Sequence, residues 1–245
     1  MTGQPAAVSQ PEQRALVPAY FYPDHWNAGN DWVVMCDGLE ASTQRSVVVM
    51  NPNSGPDTRR NPDYQVVLSY CQAAGQEVIG YVHTSYGKRS SRSVKADIDA
   101  YYRYYPDIDG IFLDEMSNQT STQSYYRSLY RHVKGKPGSS NLVVGNPGAA
   151  AATSWQLDTP VTDALIVFEG TSSAFSDWTP PAWVLSQPSS RIVHLVHASP
   201  DATDMVGTCT RSQQMNAGLV YVTDDVLENP WDSLPSYWQD ELQAC

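Results

Sequence analysis

The chain has 245 residues, of which 41% are hydrophobic and 17% charged, enough to bury the core of one large domain. Its net charge is −11 with Lys and Arg scattered, which would repel a phosphate backbone and argues against nucleic acid as a partner. No apolar run approaches the ~20 residues that span a bilayer, so no membrane partner is expected either.

Residues 1–15 are rich in Gln, Pro and Ala and carry neither the charged n-region nor the apolar h-region of a signal peptide. They are expected to form a flexible tail, the mature linker of a secreted chain whose leader lies outside this sequence. The folded unit is expected over 16–245. Its first strand is predicted over 16–22, ending in Tyr20 and Tyr22, and its second over 46–51, ending in "NPNSGP" with Asn51. Pro62 suits the first turn of a helix running to Ala74, with Gly75 ending it. A strand over 78–83 ends in "YVHTSYG", which contains His83 and Tyr86. The spacing of Val94, Ile98 and Tyr101/Tyr102 predicts a helix over 91–105, stopped by Pro106. A strand over 110–114 follows, ending in Asp114 and Glu115. A helix over 121–133 then places Tyr125, Leu129 and Val133 on one stripe.

Four further strands are predicted over 141–146 (with Asn146 in "GNPG"), 164–169 (ending in Glu169), 191–197 (ending in His197) and 218–223. Several of these runs, SVVVM, LVVG and ALIVF, are continuously apolar, the pattern of parallel strands buried on both faces. Eight βα units spaced by roughly 25–30 residues predict a single (β/α)8 TIM barrel of the α/β class. A doubly wound sheet is the alternative, but no G-x-G-x-x-G or P-loop follows the first strand. A monomer is expected.

The four cysteines, Cys36, Cys71, Cys209 and Cys245, fit no zinc spacing and no C-x-x-C motif. They fall into an early and a late pair, so Cys36–Cys71 and Cys209–Cys245 are the natural bridges of a protein from an oxidising compartment. Four buried thiols are the alternative. No metal and no cofactor is expected: His194 and His197, three apart in one strand, point to opposite faces, and no H-E-x-x-H occurs. Asp224 and Asp225 read as solvated capping residues, and no G-x-S-x-G elbow is present.

A barrel places function at the C-terminal ends of its strands, where these polar residues collect. Side chains alternate along a strand, so Phe112 and Asp114 share the inner face while Ile111 and Leu113 meet the helices. On the sixth strand Leu165, Val167 and Glu169 are expected to share a face, with Glu169 the last. Two carboxylates opposed across a barrel mouth suit glycoside hydrolysis, one as proton donor and the other as nucleophile. The 15 Tyr and 7 Trp, against 4 Phe, offer flat faces for sugar rings, although packing explains most single aromatics.

The stretches "VPAYFYP", "VVVMNPNSGP", "GYVHTSYGKRS", "DIDAYY" and "DGIFLDEMSN" together resemble the spherulin-4-like glycoside hydrolases, glycoside hydrolase family 135, from Leu16 to about Thr223. The resemblance implies a secreted (β/α)8 enzyme that cuts α-1,4-linked N-acetylgalactosamine in galactosaminogalactan, an exopolysaccharide of fungal biofilms. It implies acidic site residues at Asp114, Glu115 and Glu169, and a polysaccharide as the partner. Tyr20, Tyr22, Asn51, His83, Tyr86, Asn146 and His197 are the expected substrate-binding residues on the rim. The last strand and the C-terminus match the family only loosely. Two alternatives stand: a glycan-binding barrel without catalysis, and a chitinase-like hydrolase. For the latter "DGIFLDE" has Phe112 where the D-G-x-D-x-D-x-E signature has an acid.

Overall fold

In the computed structural model, which describes residues 13–27, 29–40, 45–138, 140–148, 151–158 and 160–245, eight parallel strands close in sequence order into one barrel. The strands are β1 (Arg14–Ala19), β2 (Val47–Met50), β3 (Glu77–His83), β4 (Gly110–Asp114), β5 (Leu142–Gly145), β6 (Ala164–Thr171), β7 (Ile192–His197) and β8 (Leu219–Val222). Helices α1 (Asp31–Glu40), α2 (Pro62–Ala73), α3 (Ser91–Tyr104), α4 (Gln123–Lys134), α5 (Ser172–Asp177), α6 (Ala182–Leu185), α7 (Ala202–Gln214) and α8 (Trp238–Ala244) accompany them. The expected (β/α)8 barrel is present.

Local chemistry sets the helix starts. Asn61 accepts from the Asp63 amide ahead of Pro62, and Ser90 accepts from the Ser93 amide to open α3. On α3, Val94, Ile98 and Tyr101 turn inward as the spacing predicts. Tyr101 lies so close to β3 that a Cβ on Gly80 would meet its ring at 2.6 Å, so a glycine is needed there. On α4 the buried stripe is Tyr126, Leu129 and Val133, with Tyr126 replacing the expected Tyr125. The Tyr126 hydroxyl explains the choice, because it accepts from the Ser117 amide at 2.7 Å and meets Thr84 Oγ1 at 2.9 Å.

The first strand begins earlier than expected. Gln13 is buried and donates to Ser212 Oγ and the Ala217 carbonyl, at 3.0 and 2.8 Å, so the barrel floor begins before Leu16. The strand also ends sooner, at Ala19, leaving Tyr20 and Tyr22 in the loop beyond it. Most of the expected 1–15 tail, residues 1–12, lies outside the described residues.

Two irregularities shape the barrel. β6 carries a bulge between Ile166 and Phe168. β1 and β8 pair only at Arg14↔Leu219 and Ala15↔Val220. Above that short seam a side chain completes the edge of β8: the Val222 amide donates to Glu241 Oε1 of α8 at 2.8 Å. Both expected disulfides are present. Cys36–Cys71 ties α1 to α2 with Cα atoms 5.1 Å apart, and Cys209–Cys245 ties α7 to the residue after α8 at 5.4 Å.

Candidate active site

Strand register builds the site. Tyr81 pairs with Phe112 and His83 with Asp114 across β3 and β4, so Tyr81, His83 and Asp114 share the inner face. The Tyr81 ring stacks on Phe112, and its hydroxyl donates to Asp114 Oδ2 at 2.7 Å. Asn146 follows β5 and is buried. Its Oδ1 accepts from the Gly148 amide at 2.9 Å, which fixes which way the amide points. Its Nδ2 then donates to Asp114 Oδ1 at 2.9 Å and to Glu169 Oε2 at 2.7 Å. One amide nitrogen holds both carboxylates.

Glu169 reaches this position because of the bulge. Val144 pairs with Phe112 and with Ala164, and Gly145 pairs with Leu113 and with Leu165, so Leu165 faces the helices. Strict alternation would have sent Glu169 outward with it. The extra residue at Val167 resets the phase: Phe168 packs outward on Phe175 and Trp178, and Glu169 turns in. The expectation that Leu165, Val167 and Glu169 share a face is therefore corrected, although Glu169 ends where it was expected.

The environments of the two acids differ. Burial pushes the Asp114 carboxyl upward and the Glu115 charge adds to this, while the Tyr81 hydroxyl, the Glu115 amide and Asn146 pull it back. Glu169 rises to about 7, chiefly through burial, with the Asp114 charge adding and Asn146 opposing. Glu115 diverges from its neighbour. Its backbone is left-handed, φ 50°, and its carboxylate lies 3.6 Å from His83 Nδ1, which also meets Ser85 Oγ at 3.2 Å. The loop after β3 is similarly bent, with Ser85, Tyr86 and Gly87 all at positive φ. It is tied down by the Tyr86 amide and Thr84 Oγ1, both donating to the Glu115 carbonyl at 2.7 Å.

The other rim residues divide. Tyr20 stands edge-on to Tyr81 at 5.5 Å, beside the acids. Tyr86 sits across the mouth, where a Cβ on Gly148 would lie 3.8 Å from its hydroxyl. His197 is 7% exposed, stands edge-on to Trp231 at 6.1 Å and is kept neutral by burial; among the described residues its Nδ1 has no partner. His194 lies on the opposite face of β7, bonded to Ser212 Oγ at 2.9 Å. Tyr22 is 53% exposed and sits outside this group, with its hydroxyl 2.5 Å from Asp63 Oδ2 and its ring 6.4 Å from the exposed Trp26. Asn51 turns to its own loop, where its Oδ1 accepts from the Gly55 amide at 3.0 Å. Asp224 and Asp225 hold the chain after β8 through Ser236 and Ser233, at 2.5 and 2.7 Å, and do not cap a helix.

Two members escaped the sequence reading. Tyr81 lies two residues before His83, and alternation from His83 would have found it. Trp231 walls the mouth between His197 and Tyr221, and its carbonyl accepts from the Tyr20 amide at 3.0 Å. No sequence signal marked it, because it comes from an irregular segment after β8.

The family model of spherulation-specific family 4 (Spherulin4) matches residues 14–245, and the chain belongs to that family. Spherulin-4 of Physarum polycephalum is 33% identical over 248 residues, 97% of this chain and 71% of that protein. A crystal structure of Aspergillus clavatus Sph3 in complex with GalNAc is similar with a TM-score of 0.81 at 24% identity, covering 96% of this chain and 97% of that one. A chitinase from Rhizomucor miehei has a TM-score of 0.60 at 12% identity, over 96% of this chain and 100% of that one, a likeness of fold.

Proposed function

We propose that this spherulin-4 family barrel is a secreted, monomeric glycoside hydrolase that cuts within chains of α-1,4-linked N-acetylgalactosamine, of the galactosaminogalactan type, with retention of configuration. The observation that carries the reading is the Asn146 amide shared between Asp114 and Glu169. The nearest oxygens of the two carboxyls, bound to one nitrogen at 2.9 and 2.7 Å, stand no more than about 5.6 Å apart, which is compatible with the ~5–5.5 Å carboxyl separation of retaining glycosidases. The GalNAc bound to the structurally similar Sph3 supports the choice of sugar.

Asp114 is the nucleophile. Its tyrosine and amide donors favour the ionised form, and it attacks the anomeric carbon as the glycosidic bond breaks. Glu169, raised to about 7, is protonated below that pH and gives its proton to the departing oxygen. A water then enters, Glu169 takes its proton, and the bond to Asp114 breaks. The charge that raises Glu169 comes from Asp114, so Glu115 is assigned to substrate binding with His83.

Tyr20, Tyr86 and Trp231 line the cleft around the reacting sugar, and His197 backs Trp231 there, edge-on at 6.1 Å. Tyr22, with Trp26, offers an exposed aromatic face to sugars further along the chain. Asn51 shapes its own loop by holding the Gly55 amide. Incubating the polymer with wild type, Glu169→Gln and Asp114→Asn tests the assignment. Wild type releases oligosaccharides, and both variants lose several orders of magnitude in kcat while remaining folded. A folded Asp114→Asn variant with near-normal turnover would overturn it.

A further inference from the structure

We propose that Tyr81 is a positioning residue whose hydroxyl aims Asp114 and keeps it ionised while Glu169 stays protonated. Its consequence for turnover rests on the hydrolase reading above; its effect on Asp114 does not.

The hydroxyl is held, not merely near. The Tyr81 ring is stacked on Phe112 at 6.2 Å and 22°, and Tyr20 meets it edge-on at 5.5 Å and 80°. Pinned between these rings, it presents its oxygen 2.7 Å from Asp114 Oδ2, while Asn146 serves Oδ1. Burial keeps the phenol far from ionising, so it remains a donor across the working pH range.

The surroundings of Asp114 make this donor necessary. Tyr81 and His83 face it from β3, Tyr20 from the end of β1, Tyr86 from the loop after β3, Glu115 from its own strand end and Glu169 from β6. Two of these groups are carboxyls. His83, which can carry positive charge, leans toward Glu115. Among the described residues no ion pair reaches Asp114. Its charge is therefore supported by neutral donors, and a hydrogen bond to a charged group is about twice as strong as one between neutral groups.

The same bond acts twice in the proposed reaction. It holds the carboxylate at the angle of attack while the C1–oxygen bond to Asp114 forms and the leaving oxygen takes the proton of Glu169. When water replaces Asp114 at C1, the electron pair of the broken bond returns to the carboxylate, and the hydroxyl stabilises that charge. Glu169 takes the proton of the water, so charge and protons balance over the two steps.

Tyr81→Phe removes one oxygen and keeps the stacked ring. The test is a 13C titration of the Asp114 carboxyl carbon, assigned with Asp114→Asn, in wild type, Tyr81→Phe and Phe112→Leu. Losing the donor should raise the Asp114 midpoint by about one pH unit or more, a tenfold change in its ionised fraction at a given acidic pH. The acidic limb of kcat/KM should move by the same amount, with kcat reduced more than KM. Phe112→Leu disturbs the stack but keeps the hydroxyl, and should shift the midpoint far less. An unchanged midpoint in Tyr81→Phe, or an equal shift in Phe112→Leu, overturns the proposal. A wild type that cleaves no glycan overturns the hydrolase reading instead, and the titration still decides for Tyr81.

Discussion

Replacing Glu241 by Gln should make the barrel less sensitive to alkaline pH. Glu241 is 3% exposed; one oxygen accepts from the Val222 amide at 2.8 Å, and the other has no partner among the described residues. Burial pushes the carboxyl from 4.5 to about 8, reinforced by the Asp224 charge and opposed by the Val222 bond. A carboxyl with a higher pKa folded than unfolded binds its proton more tightly in the folded state. Its stabilising contribution is present below the unfolded pKa and is lost as pH climbs toward the folded one. From about 4.5 to about 8, at 1.36 kcal/mol per pH unit, the loss is about 4–5 kcal/mol. The Gln side chain keeps an acceptor for Val222 and cannot ionise. Urea unfolding of both proteins at about pH 5 and about pH 8.5 is the assay. Asp114 and Glu169, also raised, are common to both and cancel in the difference. Relative to wild type the variant should gain several kcal/mol between the two pH values, on the order of 10 °C in Tm. A difference that is the same at both would refute the reasoning.

Other outcomes follow from the same structure. Alkylation without reductant should add no mass, and breaking Cys36–Cys71 should cost ~3–4 kcal/mol for its loop of 35 residues; four labelled thiols would contradict the bridges. Because Glu169 must be protonated to act as the acid, kcat/KM should fall as pH rises through about 7; a profile flat into the alkaline range would count against its role. Tyr22→Ala, at a 53% exposed position, and His83→Ala should weaken affinity for the polymer with little loss of stability. Variants that lose stability but bind normally would reduce these residues to loop supports.

The barrel was legible because strands buried on both faces leave continuous apolar runs, as in VVVM of β2 and LVVG of β5. Asp114 was legible because β4 is regular, so alternation from Phe112 settles which way it points. Glu169 was found although the alternation assumed for it fails, since a bulge leaves no mark in ALIVFEG that distinguishes it from a regular strand. The Tyr126 stripe depended on hydroxyl partners from two other segments, Thr84 and Ser117, which helical spacing cannot supply. Asn51 and Asn146 look alike in sequence, each opening an N-P loop. One closes a turn onto Gly55 and the other joins two carboxylates, a difference that exists only once β4, β5 and β6 are side by side.

The central claim is that Asp114 and Glu169, joined by one amide, carry out hydrolysis with retention. Proton NMR of the first product released from an α-1,4-linked N-acetylgalactosamine oligomer, read before mutarotation, tests it most directly. The α-anomer should appear first, as a double displacement through Asp114 requires. A β-anomer appearing first, or no product at all, would contradict it.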